Sequence, residues 1–299
     1  MNRLVVRHSL LLLLTAAIWG VAFVAQSVGM DYVGPFTFTA VRSVIGGAVL
    51  LPVIAFRDKK QEKRQENHAK VVVGGILCGT LLCIASNLQQ IGIQYTTVGK
   101  SGFVTAMYIV LVPILGLFLH KKAGAKIWIG VGLAVCGLYL LCMTSGEVVL
   151  QRGDILTLLC ALAFSFQILA VDYFAPMVDG VQLACIQFFV CGLLSSVPMF
   201  VIEHPEMKLI LAAWVPILYA GILSNGVAYT LQIVAQRGMN PTAASLLMSM
   251  ESVFSVLAGW ILLQQKMSVR EIMGCVLMFA AIILVQMRGQ KEDEKRISK

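Results

Sequence analysis

VVVGGILCGTLLCIASNLQQI, residues Val71 to Ile91, runs for 21 residues without a charge. At 1.5 Å per residue a helix of that length spans about 30 Å, the thickness of a bilayer's hydrocarbon core. As a membrane-crossing helix the stretch also carries a polar face. Cys83, Asn87, Gln90 and Gln94 recur at i, i+4, i+7 and i+11, which places them on one side of the helix.

Nine further apolar runs flank it: Leu10 to Val28, Phe36 to Phe56, Ser101 to Leu119, Ile127 to Met143, Ile155 to Val171, Val181 to Ile202, Leu211 to Val234, Ala243 to Leu263 and Ile272 to Met287. Together they predict an all-α integral membrane protein of ten transmembrane helices. In lipid only helices or closed barrels satisfy every backbone group, and none of the runs alternates as barrel strands do. Composition agrees: of 299 residues 59% are hydrophobic and 13% charged, with a mean hydropathy of +0.86. Soluble domains carry about 25% charge, so a water-soluble fold is excluded, and so are intrinsic disorder, a disulfide scaffold and a nucleic-acid-binding domain. The first run follows Arg3 and Arg7 as a secretory leader would, but it outruns a leader's apolar core and is read as span 1.

The net charge of +8 is distributed by side. Within the runs only Arg42 and Glu251 are charged. With the N-terminus inside, cytoplasmic segments carry 17 Lys or Arg and the opposite side 5, as the positive-inside rule requires, so both termini are expected in the cytoplasm. The basic run from Lys59 to Arg64 is interleaved with Glu62 and lies between two spans. It reads as a topology signal facing the lipid surface, and no nucleic-acid partner is expected.

The chain repeats itself. Setting Gly130 against Gly274 also aligns Ser101 with Ser245, Val112 with Val256, Leu119 with Leu263 and Lys122 with Lys266. Gln90-Ile91-Gly92-Ile93-Gln94 matches Gln232-Ile233-Val234-Ala235-Gln236, and Trp19 falls opposite Phe164. A unit of five spans is odd, so its second copy enters the membrane from the other side. The expected organisation is a first five-helix repeat at 1–143, an inverted second repeat at 153–287, and a cytoplasmic tail at 288–299.

Trp19-Gly20, Arg42, Gln89-Gln90-Ile91-Gly92 through Tyr95-Thr96-Thr97, Lys100-Ser101-Gly102-Phe103, Tyr108 through Val112-Pro113, Gly153-Asp154, Leu231 through Gln236 and Glu251-Ser252-Val253-Phe254 form a set. Together these segments resemble bacterial members of the drug/metabolite transporter superfamily, EamA type. Many relatives have proline after the span 9 glutamate and glutamate before span 10, where this chain has Ser252 and Gln265. The resemblance implies a central cavity lined by spans 1 to 4 and 6 to 9, with spans 5 and 10 peripheral, in a multi-pass protein of the bacterial cytoplasmic membrane.

Catalytic chemistry is not visible. His8, His68, His120 and His204 have no partner at zinc-ligand spacing, and the eight cysteines form no C-x-x-C pair, so neither metal nor cofactor is expected. Intramembrane polar residues are more informative. Asn225, Tyr229, Gln232 and Gln236 repeat the spacing of the first polar face, and this recurrence marks Asn87, Gln90, Tyr229 and Gln232 as substrate-pathway candidates, with interhelical hydrogen bonding as the alternative. Tyr108 and Thr105, Trp19 and Gln167 are placed to complete a pocket or to pack. Glu251 lies about 12 Å into span 9, where an ionised side chain costs at least about 3 kcal/mol. It is expected to be paired or neutral, as a proton-coupling or substrate-ammonium site or as a structural group at a bend. Arg42, about 9 Å deep, is expected to snorkel, to pair with Asp31 or to bind an anion. The expected function is secondary transport of a small polar metabolite, an amino acid or related compound, outward by alternating access. A coupling proton is a candidate partner; a passive channel and an intramembrane enzyme are the alternatives.

Overall fold

The computed structural model describes residues 3–58, 68–95, 98–119, 124–142, 152–237, 239–262, 268–270, 272–281 and 283–284. The tail 288–299, most of the basic loop after Arg57, the Lys121-Lys122 pair and Gln265 lie outside them. The described chain is helical throughout: α1 (Arg3–Gly29), α2 (Pro35–Asp58), α3 (His68–Ile93), α4 (Val98–Thr105), α5 (Tyr108–Phe118), α6 (Ala125–Cys142), α7 (Arg152–Phe174) and α8 (Gly180–Pro198). After α8 come a π turn (Met199–Glu203), α9 (Met207–Ala212), α10 (Trp214–Leu218), a longer π stretch (Tyr219–Tyr229), α11 (Thr230–Gln236), α12 (Pro241–Met248), α13 (Glu251–Leu262) and a short apolar helix, α14 (Ile272–Ala281).

Eight segments are long and apolar enough to cross a membrane: Val6–Gly29, Pro35–Arg57, His68–Ile93, Ser101–Phe118, Arg152–Phe174, Gly180–Glu203, Trp214–Gln236 and Pro241–Leu262. Among the described residues these account for eight of the ten expected spans. Spans 5 and 10 are present as the shorter apolar helices Ile127–Leu140 and Ile272–Ala281, and the ends of both expected runs lie outside the described residues. Burial is inverted relative to a water-soluble fold. Phe56 and Leu193 are 72% and 70% exposed, whereas Gln90, Gln167 and Gln187 are fully buried, as a lipid solvent favours.

Packing exchanges helices between the two parts of the chain. α3 lies chiefly against α7 and α8, while the longer π stretch lies against α1 and α2. α4 and α5 pack on α7, and α12 and α13 pack on α1. Each part thus surrounds the first two helices of the other, and α2 and α8 pack together extensively.

That α2–α8 pair is fastened at both ends. Glu203 Oε1 accepts from Phe36 N–H at 2.9 Å, and Oε2 accepts from Thr37 N–H at 2.7 Å and Thr37 O–H at 2.6 Å. The carboxylate satisfies donors at the α2 N-terminus, where negative charge is favoured. His204, left-handed at φ 47°, closes the π turn that delivers it. At the other end Asp179 caps α8 through Val181 N–H and Gln182 N–H, and its second oxygen lies 3.0 Å from Arg57 Nη2.

The α3–α7 crossing depends on glycine. A Cβ on Gly153 would lie 2.8 Å from the Gly92 carbonyl oxygen and 2.9 Å from the Tyr95 carbonyl carbon, backbone atoms that do not give way, whereas one on Gly132 would meet nothing within 4 Å. Gly153→Val is expected to lower the unfolding midpoint in detergent, with overpacking worth about 1–3 kcal/mol. Gly132→Val should leave it near the parent value, and equal midpoints for the two variants would contradict this packing.

Candidate functional site

Two spans that the sequence presents as continuous are interrupted at matching positions. The first breaks at Ala106-Met107 between α4 and α5, the second at Ser249-Met250 between α12 and α13. Both breaks tighten to three-residue turns: Ile109 N–H bonds Ala106 O at 3.0 Å, and Ser252 N–H bonds Ser249 O at 3.2 Å. Pro113 removes the donor that Ile109 O would have used. In the second span Ser245 and Ser249 hydroxyls bond Thr242 O and Leu246 O, a local competition that weakens helix.

The two interruptions face each other. Tyr108 O–H donates to Glu251 Oε1 at 3.0 Å, and Ser252 O–H donates to Gly102 O at 3.1 Å. A proline in place of Ser252 could not make the second bond. The longer π stretch is a third departure from α geometry. It is tied to α1 by Thr15 O–H to Ala228 O at 3.2 Å and Tyr219 O–H to Ile18 O at 3.1 Å.

These irregular segments border a cavity between the helices. Trp19, Phe23 and Gln26 line it from α1, Arg42 from α2, Gln89 from α3, Thr105 and Tyr108 from the first interruption, and Phe164, Gln167 and Ile168 from α7. Ser224 and Tyr229 of the π stretch, Gln232 of α11 and Glu251 complete it. Trp19 and Tyr229 rings meet at 4.6 Å, and Phe188 abuts Tyr229 edge-on at 5.8 Å. Gln232 Nε2 donates to Gln167 Oε1 at 3.3 Å, and Gln89 Nε2 to Thr105 Oγ1 at 3.3 Å.

Five of the seven pathway candidates line this cavity: Trp19, Tyr108, Gln167, Tyr229 and Gln232. Asn87 and Gln90 are not in its lining. Asn87 Nδ2 donates to Cys83 O at 2.9 Å and Ser195 Oγ at 2.8 Å, and Gln90 Nε2 donates to Gln26 O at 3.2 Å. Their neighbour Gln89 faces the cavity instead. Gln26, which spacing arguments passed over, stands seven residues after Trp19 and so on the same face of α1. Arg42 neither snorkels nor pairs with Asp31: it is 4% exposed, lines the cavity, and its Cζ lies 5.6 Å from the Phe38 ring centroid. Gly221 lets the π stretch reach the backbone beside it, since a Cβ there would lie 3.1 Å from Arg42 O. Among the described residues no group of His, Cys, Asp and Glu is arranged to hold a metal.

A helical membrane bundle with a polar cavity between interrupted spans is the architecture of secondary transporters. The chain belongs to the EamA-like transporter family, whose model matches residues 7–143 and again 151–287. An uncharacterized transporter of Archaeoglobus fulgidus is 29% identical over 93% of this chain and 85% of its own length. The uncharacterized transporter YoaV of Bacillus subtilis is 22% identical over 89% and 92%. A solved crystal structure at 18% identity matches 95% of this chain and 98% of its own with a TM-score of 0.77, which speaks for the fold.

Tyr108→Phe keeps the ring and deletes the donor to a carboxyl that is 4% exposed. The expected loss is about 1–3 kcal/mol, read as a lower unfolding midpoint. Paired with Glu251→Leu in a double-mutant cycle, which removes the acceptor, the two changes should be non-additive; additive losses would mean that the bond contributes nothing.

Proposed function

We propose that this protein is a secondary carrier that moves a small polar metabolite, an amino acid or related compound, outward across the bacterial cytoplasmic membrane by alternating access. The observation that carries the reading is the cavity itself: it lies between the two repeats and is bordered by interruptions at corresponding positions of each. In this reading the repeats are 1–143 and 153–287, inverted in the membrane, with spans 5 and 10 at the periphery and both termini cytoplasmic. Rocking of one repeat against the other opens one end of the α2–α8 pair at a time. The Arg57–Asp179 pair is then the cytoplasmic latch, and the Glu203 carboxylate on Phe36 and Thr37 is the outer one. Glu251, the acid in the cavity lining, is the group placed to carry a coupling proton.

Counterflow in proteoliposomes tests the carrier reading. Unlabelled substrate inside is expected to accelerate entry of the same labelled compound several-fold. Entry at one rate whatever the trans compartment holds would identify a channel.

A further inference from the structure

Successive turns of α3 and α8 meet in one register. A Cβ on Gly79 would lie 2.7 Å from the Gln187 carbonyl oxygen, and two turns further on Asn87 Nδ2 donates to Ser195 Oγ at 2.8 Å. Both pairs are 108 residues apart in sequence, and the turn between them sets Cys83 opposite Cys191 at the same separation. The two thiols lie within hydrogen-bonding reach of each other. A disulfide needs Cα atoms roughly 4.4–6.8 Å apart, and helices that touch backbone to backbone one turn away supply that approach.

The pair has a polar setting. Asn87 Nδ2 is 3.3 Å from Cys83 Sγ, the Ser195 hydroxyl is 3.4 Å from the same sulfur, and Ser43 O–H donates to Cys191 Sγ at 3.4 Å. Asn225 Nδ2 in turn donates to Ser43 Oγ at 3.5 Å, so α2, α3, α8 and the longer π stretch all contribute. None of these residues lines the central cavity. A buried thiol in apolar surroundings is inert, whereas each of these sulfurs has a hydroxyl or amide neighbour. Cys83 is 9% exposed and Cys191 1%, which orders their roles: the more accessible sulfur meets an incoming reagent and the enclosed one resolves it.

We propose that Cys83 and Cys191 form a redox site, separate from the cavity, that reduces an organic hydroperoxide dissolved in the bilayer and closes to a disulfide between the two repeats. The Cys83 sulfur attacks the terminal peroxide oxygen. The O–O bond breaks, the thiol proton passes to the departing alkoxide, and a sulfenic acid and an alcohol result. The Cys191 sulfur then attacks the Cys83 sulfur, the S–O bond breaks, and hydroxide leaves with the Cys191 proton as water. Two electrons pass from the thiols to the peroxide. α3 lies in the first family match and α8 in the second. On the carrier reading, on which this consequence rests, the bond ties together the units that must rock, and transport stops until a thiol reductant reopens it.

The test uses the full chain in proteoliposomes, treated with cumene hydroperoxide, then denatured, alkylated and mapped by mass spectrometry. Cys78 and Cys160, both fully buried, are internal references. A Cys83–Cys191 cross-linked peptide pair should form roughly tenfold faster than either reference thiol is lost, and dithiothreitol should reverse it. Cys191→Ser should stop at a sulfenic acid on Cys83 that dimedone traps. If Cys191→Ser does not fold, mapping of the parent protein decides alone. Thiols at 83 and 191 that stay open to alkylation, or oxidation spread evenly over the cysteines, would overturn the proposal. Counterflow of a mixture of labelled L-amino acids reads the consequence: exchange should all but cease in the linked protein, return with dithiothreitol, and survive the hydroperoxide in Cys191→Ser. Undiminished exchange by linked protein would overturn the arrest and leave the carrier reading standing. No exchange by the reduced protein would count against the carrier reading, with the redox site still decided by the mapping.

Discussion

A backbone amide or carbonyl left unpaired in hydrocarbon costs several kcal/mol, and this constraint governs where the chain departs from regular helix. The breaks at Ala106-Met107 and Ser249-Met250 and the stretch Tyr219–Tyr229 border the cavity. Their backbone groups are recovered locally by short turns, or by hydroxyls reaching across from neighbours, as Ser252 reaches Gly102 O and Thr15 reaches Ala228 O. Apart from the π turn Met199–Glu203 at the end of α8, the interruptions within the spans gather with polar side chains around the cavity. A site that recognises a polar molecule inside a membrane needs both.

The surrounding helices hold that place by close approach rather than by many polar contacts. Gly153 at the α3–α7 crossing and Gly221 beside Arg42 admit backbone against backbone. Because each part of the chain wraps the first two helices of the other, the cavity walls come from both, and a shift of one part reshapes the whole lining. The α2–α8 pair runs past the cavity and is fastened at its two ends by chemically different devices, a helix-capping carboxylate and an ion pair. Such an ion pair, partly exposed, contributes about 0–1 kcal/mol, small enough to open and close readily.

The spans were legible in sequence because twenty uncharged residues admit one reading in lipid, and the repeat was legible from glycines and amides recurring in order. Span 5 was legible as an apolar run that α6 follows to Cys142, and the ends of the span 5 and span 10 runs lie outside the described residues. The interruptions were not visible, since Pro113 and the serines of span 9 are compatible with continuous helix and only their tertiary setting breaks it. For the site, spacing identified the polar faces of spans 3 and 8 but not their rotation. One residue turns a helix by about 100°, so Gln89 rather than Gln90 reaches the cavity. Arg42 was misplaced because depth along a helix says nothing about whether a long side chain points to lipid or to the interior.

The alternation of the two ends is most directly measured by paired spin-label distances in proteoliposomes. Labels at Tyr32 and Met207 report one end, and labels at Phe56 and Tyr173 the other; all four side chains are well exposed. On adding the amino acid that binds most tightly, an alternating carrier gives opposed changes: one pair lengthens by several ångströms while the other shortens or stays short, and the two are never long together. Distances that remain fixed, or lengthen at both ends at once, would contradict it.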